Sequence, residues 1–161
     1  MLMMQLPTIR MSNDQILVPF NPNHLYSIEL KPFEVEYVEH IPNYYEYVIE
    51  NAMPGFSWTF ICQGRPAAIF GVRPLWSTNF EMWMIPGEGI EKNAIAVLRG
   101  ARHIIDGIVA EFDVLRLQIT VRCENEIAYK FAKRLGFKVE SVMRYFGPEG
   151  ADYYLMTRIT E

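Results

Sequence analysis

Hydrophobic and polar positions change period several times along this chain, and each change marks an element. HLYSIELK (24–31) alternates apolar and polar residues and predicts a strand. In PFEVEYVEHI and NYYEYVIENAM, Tyr44, Tyr45, Val48 and Ile49 recur at helical spacing, predicting one or two short helices split by Pro42. Pro54-Gly55 ends them. Three strand-like runs follow: SWTFICQ (57–63), PAAIFGVRPL (66–75) and NFEMWMI (79–85), the first two joined as a hairpin by a short Gln-Gly-Arg connection. The period then changes. Ala94, Ile95, Leu98, Ala101, Ile105, Ile108, Val109 and Phe112 mark one face of a long helix. LRLQITV (115–121) alternates again, and RCENEIAYKFAKRLGF (122–137) reads as a strand end, a short amphipathic helix and a glycine stop. FKVESVMRYF (137–146) and DYYLMTRI (152–159) are strands on either side of the Gly147–Gly150 turn.

The order β-α(α)-β-β-β-α-β-α-β-β predicts an α/β chain, a mixed sheet flanked by helices on both faces. The strand at 79–85, the long helix and the strand at 115–121 form a β-α-β unit, so the crossover should be right-handed and the strands parallel. Pro7, Pro19 and Pro22 among Asn13, Asn21 and Asn23 predict an irregular arm over 1–23, leaving 24–161 as one domain. A length of 161 residues supports one core. Half the residues are hydrophobic and 21% charged, which excludes a disordered chain. The net charge of −4 supplies no basic face for sustained nucleic-acid binding. Cys62 and Cys123 form no CxxC pair, and His24, His40 and His103 are scattered, so no metal site is expected and a reducing cytoplasm is the default. No apolar run approaches the roughly 20 residues that span a membrane. The start, MLMMQLPTIRM, is too short for a signal peptide and is interrupted by Pro7 and Arg10. Its methionines suit either a cover on the body or a homodimer contact.

Two stretches carry candidate chemistry. Ile85-Pro86-Gly87-Glu88-Gly89-Ile90-Glu91-Lys92-Asn93 places two glycines before a helix start, where free N–H groups and the helix dipole can hold a phosphate. A tight turn is the plainer reading. Glu88 and Glu91 would repel an anion, and Lys92 is the loop's cation. The second stretch begins at Asn125. Both stretches follow strands expected to be parallel neighbours, and a cleft opens where such strands splay. Asn125 is then either a helix N-cap or an amide that pairs with an amide-rich ligand, and the two roles are compatible.

The element order and N125-E-I-A128-Y-K-F131-A-K-R134-L-G136-F137 resemble the GNAT N-acetyltransferase superfamily, over roughly 24–160 and best over 79–146. The resemblance implies a mostly antiparallel sheet with two splayed parallel strands, here 79–85 and 115–121, and acetyl-CoA between them. It implies that pyrophosphate rests on Gly87, Gly89, Ile90, Lys92 and Asn93, and that pantetheine runs beside Met84 and Ile85 to Asn125 and Ala128. Arg134 is the residue it offers to a coenzyme A phosphate. The chain departs from the pattern twice. The loop lacks the family's usual basic side chain, and Ala132 stands where many members carry the tyrosine that protonates the leaving thiolate. Tyr129, Tyr145, Tyr153 and Tyr154 are the substitutes.

RYFGPEGADYYLMTRI (144–159) is similar to acetyltransferase-like proteins of tailed phages and prophages, some of them virion proteins without established transferase activity. That implies host cytoplasm or the virion as location, and leaves a catalytically silent partner-binding protein as the alternative to an enzyme. A plain ligand-binding module using the same cleft is a third reading. For an enzyme, the expected base is Glu81, on a strand face with Trp83 and Ile85 that should raise its pKa; Glu124 is the second candidate. Acceptor contacts are expected from the arm, the helices at 32–53 and the 146–152 turn. Trp58, Trp76 and Trp83 are candidates for an apolar acceptor pocket or for the core.

Overall fold

The computed structural model describes residues 9–160. Their elements are β1 Ile9–Arg10, β2 Gln15–Pro19, α1 Pro22–Ser27, α2 Pro32–His40, α3 Tyr44–Asn51, β3 Ser57–Cys62, β4 Arg65–Trp76, β5 Asn79–Pro86, α4 Ala94–Glu111, β6 Arg116–Arg122, α5 Glu126–Arg134, β7 Lys138–Met143 and β8 Tyr153–Ile159. The fold is mixed α/β with an eight-stranded mixed sheet. β1 with β2, β2 with β3, β3 with β4, β6 with β8 and β7 with β8 pair antiparallel, whereas β5 with β6 is the parallel pair the β-α-β pattern predicts.

The chain divides into two compact units. The first runs as far as Arg73 and again over Met84–Gly100. Its sheet is led by β1, β2 and β3. β3 turns into β4 through Gln63 and Gly64, both at positive φ, so a two-residue turn sets Cys62 opposite Arg65. The core holds Leu17, Leu25, Phe56, Phe60, Ile69 and Phe70, with Trp58 stacked on Phe70 at 5.5 Å.

The second unit takes Pro74–Trp83 and the chain from Ala101 onward. Here β6 pairs with β8, and β8 with β7. Ile104, Ile105 and Ile108 of α4 are buried, as are Phe80, Leu117, Phe137 and Met156. A bulge in β7 lies between Val139 and Ser141, and Glu140 takes a bidentate bond from Arg116 at 2.7 and 3.1 Å. Arg116 and Thr157 hold the Glu140 carboxyl below its ordinary pKa.

Three expectations are corrected. Residues 24–31 are not a strand. Asn21 caps a helix there, its Oδ1 accepting from Asn23 N at 2.9 Å, its N–H donating to His24 Nδ1 at 3.1 Å, and Pro22 opening α1. Only Leu30 keeps a strand-like contact, an isolated bridge to Gly87. Residues 9–10 and 15–19 are not irregular but strands: QILV extends along β3, with Leu17 opposite Phe60, and Pro19 ends the strand where a missing N–H does least harm. Within 1–23, positions 1–8 lie outside the described residues. The strand expected over 137–146 stops at Met143, two residues before Tyr145 takes φ 57°.

Candidate functional site

In the second unit, β5 and β6 pair over three rungs: Asn79 with Arg116, Phe80 with Leu117 and Glu81 with Gln118. The ladder stops there. Met82 and Trp83 continue β5, while β6 runs on to Arg122 with β8 alone as its partner, Ile119 opposite Met156 and Arg122 opposite Tyr153. Glu81 stands at the last shared rung, half-buried, and accepts from Gln118 Nε2 at 3.2 Å. Burial along β5 alternates as far as Trp83 and then slips. Trp83 and Met84 are both half-buried and Ile85 is buried, so Ile85 does not share the exposure phase of Glu81 and Trp83.

Past β6, Cys123 N–H donates to Asp152 O at 2.9 Å and Asn125 N–H to Arg122 O at 3.0 Å. Asn125 Oδ1 accepts from Ala128 N at 3.1 Å, the N-cap of α5. Its Nδ2 makes no hydrogen bond among the described residues. At the other end of α5, Gly136 N–H reaches Lys133 O at 3.0 Å and Phe137 N–H reaches Ala132 O at 3.1 Å. With Gly136 at φ 95°, this is a Schellman closure. The residue signature is thus also a pair of helix delimiters. Ala132 is buried at that closure.

Tyr129 is half-buried, its ring 5.4 Å from that of Tyr154 and 5.4 Å from Lys133 Nζ. Arg134 is exposed and its carbonyl accepts from Arg102. Tyr145 is 73% exposed, with its N–H held by Asp152 Oδ1 at 3.0 Å. It borders a cavity of about 440 Å³ that Cys123, Glu124, Arg144, Glu149 and Asp152 also line. Burial, with Asp152 nearby, pushes the Cys123 thiol above its ordinary pKa. Trp58 belongs to the core, whereas Trp76 is 73% exposed.

The Gly87–Asn93 loop belongs to the first unit. Gly87 N–H donates to Ala67 O at 2.9 Å and Glu88 N–H to Glu29 O at 2.8 Å. Ile90 and Asn93 donate within the loop, to Gly87 O and Ile90 O at 3.1 Å each. Among the described residues, no backbone carbonyl engages the amides of Gly89, Glu91 and Lys92. Asn93 is fixed through its side chain, Nδ2 on Gly89 O at 2.9 Å and Oδ1 accepting from Gln15 Nε2 at 2.8 Å. Lys31 pairs with Glu91 and lies 4.0 Å from Glu88. It offsets the loop's two acidic groups, Glu88 and Glu91. A cavity of about 300 Å³ opens at the start of α4, lined among others by Gln15, Lys92, Asn93 and Arg99. Lys31, Gln15 and Arg99 were not legible as loop neighbours, because nothing local to them signals it.

The two glycines differ. A Cβ on Gly87 would sit 2.9 Å from both Ala67 O and Ile28 Cγ1, whereas one on Gly89 would meet only Ala67 Cβ, at 3.8 Å. Gly87→Ala is expected to lower unfolding stability by about 1–3 kcal/mol and Gly89→Ala to leave it nearly unchanged, read by denaturant melts. Equal effects would refute this packing role for Gly87.

No group of three or more His, Cys, Asp or Glu among the described residues is placed to hold a metal, and no described helix is long and apolar enough to cross a membrane. No protein-family model and no curated protein sequence matches the chain. Solved structures do match in fold. An acetyltransferase of the GNAT family from Bacillus anthracis aligns with a TM-score of 0.69 at 14% identity, over 95% of this chain and 98% of that one. Ard1 from Thermoplasma volcanium gives 0.71 at 15%, over 92% and 99%. The ribosomal L7/L12 alpha-N-protein acetyltransferase RimL, in complex with coenzyme A, gives 0.65 at 14%, over 95% and 98%. The fold is that of GNAT acetyltransferases.

Proposed function

We propose that this chain is an acyl-CoA-dependent N-acyltransferase that passes an acetyl group from acetyl-CoA to an amine by direct attack. The observation that carries this reading is the parting of β5 from β6 after the Glu81–Gln118 rung, with Asn125 capping the helix that follows β6 while its amide NH₂ has no partner among the described residues. Strands that stop pairing leave unpaired backbone, and a thioester arm rich in amides can complete such an edge. Fold neighbours named as acetyltransferases, one of them bound to coenzyme A, support the same reading.

In the reaction, the amine nitrogen forms a bond to the thioester carbonyl carbon and the carbon–sulfur bond breaks. The ammonium proton goes to a carboxylate, for which Glu81 is the candidate and Glu124 the second. The thiolate takes a proton from a tyrosine hydroxyl, Tyr129, Tyr145 or Tyr154. A backbone N–H near Met84 or Ile85 is the donor for the developing oxyanion. Holding both substrates together supplies much of the acceleration.

Calorimetric titration with acetyl-CoA, and with free CoA beside it, tests the reading. Micromolar binding of both is the expected result. No heat at millimolar ligand would overturn it and favour the catalytically silent, partner-binding alternative. The observation on that side is that Gly87, Glu88, Ile90 and Asn93 already spend their amides inside the fold.

A further inference from the structure

Glu34 stands outside the proposed chemistry, yet its setting is unusual. Of the nine residues of α2, it is the one fully buried side chain, at 8% exposure; Val35 and Val38 face solvent. A helix this short has little stability of its own and depends on what it docks. Here the docking group is a carboxylic acid. It is hydrogen-bonded to Tyr44, the first residue of α3, whose ring stacks on Tyr37 at 6.0 Å.

The neighbouring charges are committed elsewhere. Lys31, at the N-cap of α2, pairs with Glu91 and Glu88. His40, at the other end of α2, turns back on Glu36 O at 2.9 Å. On α3, Glu46, Tyr47 and Glu50 are exposed. Burial pushes the Glu34 pKa up from 4.5 to about 8, against the smaller opposing pull of the Tyr44 bond, and no charged group contributes.

We propose that α2 and α3 form a proton-dependent clasp, closed while Glu34 carries its proton against Tyr44 and loosened when the carboxyl ionises. An ionised carboxylate without a buried cation is strongly disfavoured in such a place, whereas the neutral acid is readily held by one hydroxyl. The anion therefore leaves for water and takes α2 with it. Pairs at Lys31 and the Leu30–Gly87 bridge still fix the segment entering α2, so the helix swings from that end. This inference goes beyond the acyltransferase reading and does not depend on it.

The direction follows from linkage. The closed-state pKa stands above the value of the free side chain, so closure is complete below about pH 4.5. It is lost as the pH rises through about 8, roughly tenfold in the opening constant per pH unit, and then levels off. Amide hydrogen exchange over residues 32–51, corrected for the intrinsic rate at each pH from 5 to 9, reads this directly. Wild type should lose protection tenfold per unit up to about pH 8, and Glu34→Gln, which keeps the hydrogen bond without the titration, should show a flat profile. A flat wild-type profile, or the same slope in both proteins, overturns the proposal. Should the variant not fold, ¹³C titration of Glu34 in wild type decides: a midpoint near 8 supports the clasp and one below 6 overturns it.

Discussion

Phe60→Ala is expected to remove about 3–5 kcal/mol of unfolding stability. Phe60 is fully buried on β3, paired with Leu17 across β2 and stacked on Phe70 at 5.6 Å. Its ring also sets the identity of a residue 40 positions away. A Cβ added at Gly100 of α4 would lie 2.5 Å from Phe60 Cζ and 2.7 Å from Cε1, closer than packed carbons allow. Gly100→Ala alone should therefore cost about 1–3 kcal/mol, despite alanine's better helix propensity. In Phe60→Leu with Gly100→Ala the smaller side chain makes room, so the double variant should lose less than the sum by about 0.5–3 kcal/mol. Denaturant unfolding of the four proteins closes the cycle. A stabilising Gly100→Ala would mean that the helix does not press on that ring.

This packing explains which parts of the chain could be read in advance. The β5-α4-β6 segment was legible because its apolar spacing shifts cleanly from one period to another, and a parallel pair with a helical crossover follows from that. Residues 24–31 form no strand although HLYSIEL alternates, because the capping bonds of the Asn21-Pro22 start favour a helix locally. The reverse happened over 15–19. Five residues flanked by Asn and Pro look like loop, and only their long-range pairing with β3 makes them a strand.

The same division runs through the site. Asn125, Ala128 and the Gly136-Phe137 closure sit in one continuous stretch, so their spacing was visible. What surrounds the Gly87–Asn93 loop was not. Lys31 and Gln15 reach it from 57 and 78 residues upstream of Glu88 and Asn93, through contacts that no local pattern encodes. Glu34 was invisible for a related reason: a glutamate in a short polar helix reads as solvated, and only the fold buries it.

Substitutions at Asn125 are expected to separate its two roles. The Oδ1 atom caps α5 through Ala128 N, while Nδ2 has no partner among the described residues. Asn125→Ala removes both atoms and should cost about 1 kcal/mol of stability, the usual worth of a cap. Serine and aspartate are equally good caps, so Asn125→Ser and Asn125→Asp should melt within a few tenths of a kcal/mol of wild type. Aspartate cannot donate, and the shorter serine hydroxyl cannot donate from the Nδ2 position. If the amide holds an acetyl-CoA carbonyl, Asn125→Ser should weaken binding about 3- to 10-fold, the worth of one net hydrogen bond. Asn125→Asp should weaken it more, about 10- to 100-fold, because a carboxylate would then face an acceptor. Calorimetric titration beside thermal melts distinguishes the cases. Loss of affinity at unchanged stability makes Asn125 a wall of the coenzyme site. Unchanged affinity in the serine and aspartate variants makes it a helix cap alone, and the wall must then be sought elsewhere along the parted edges of β5 and β6.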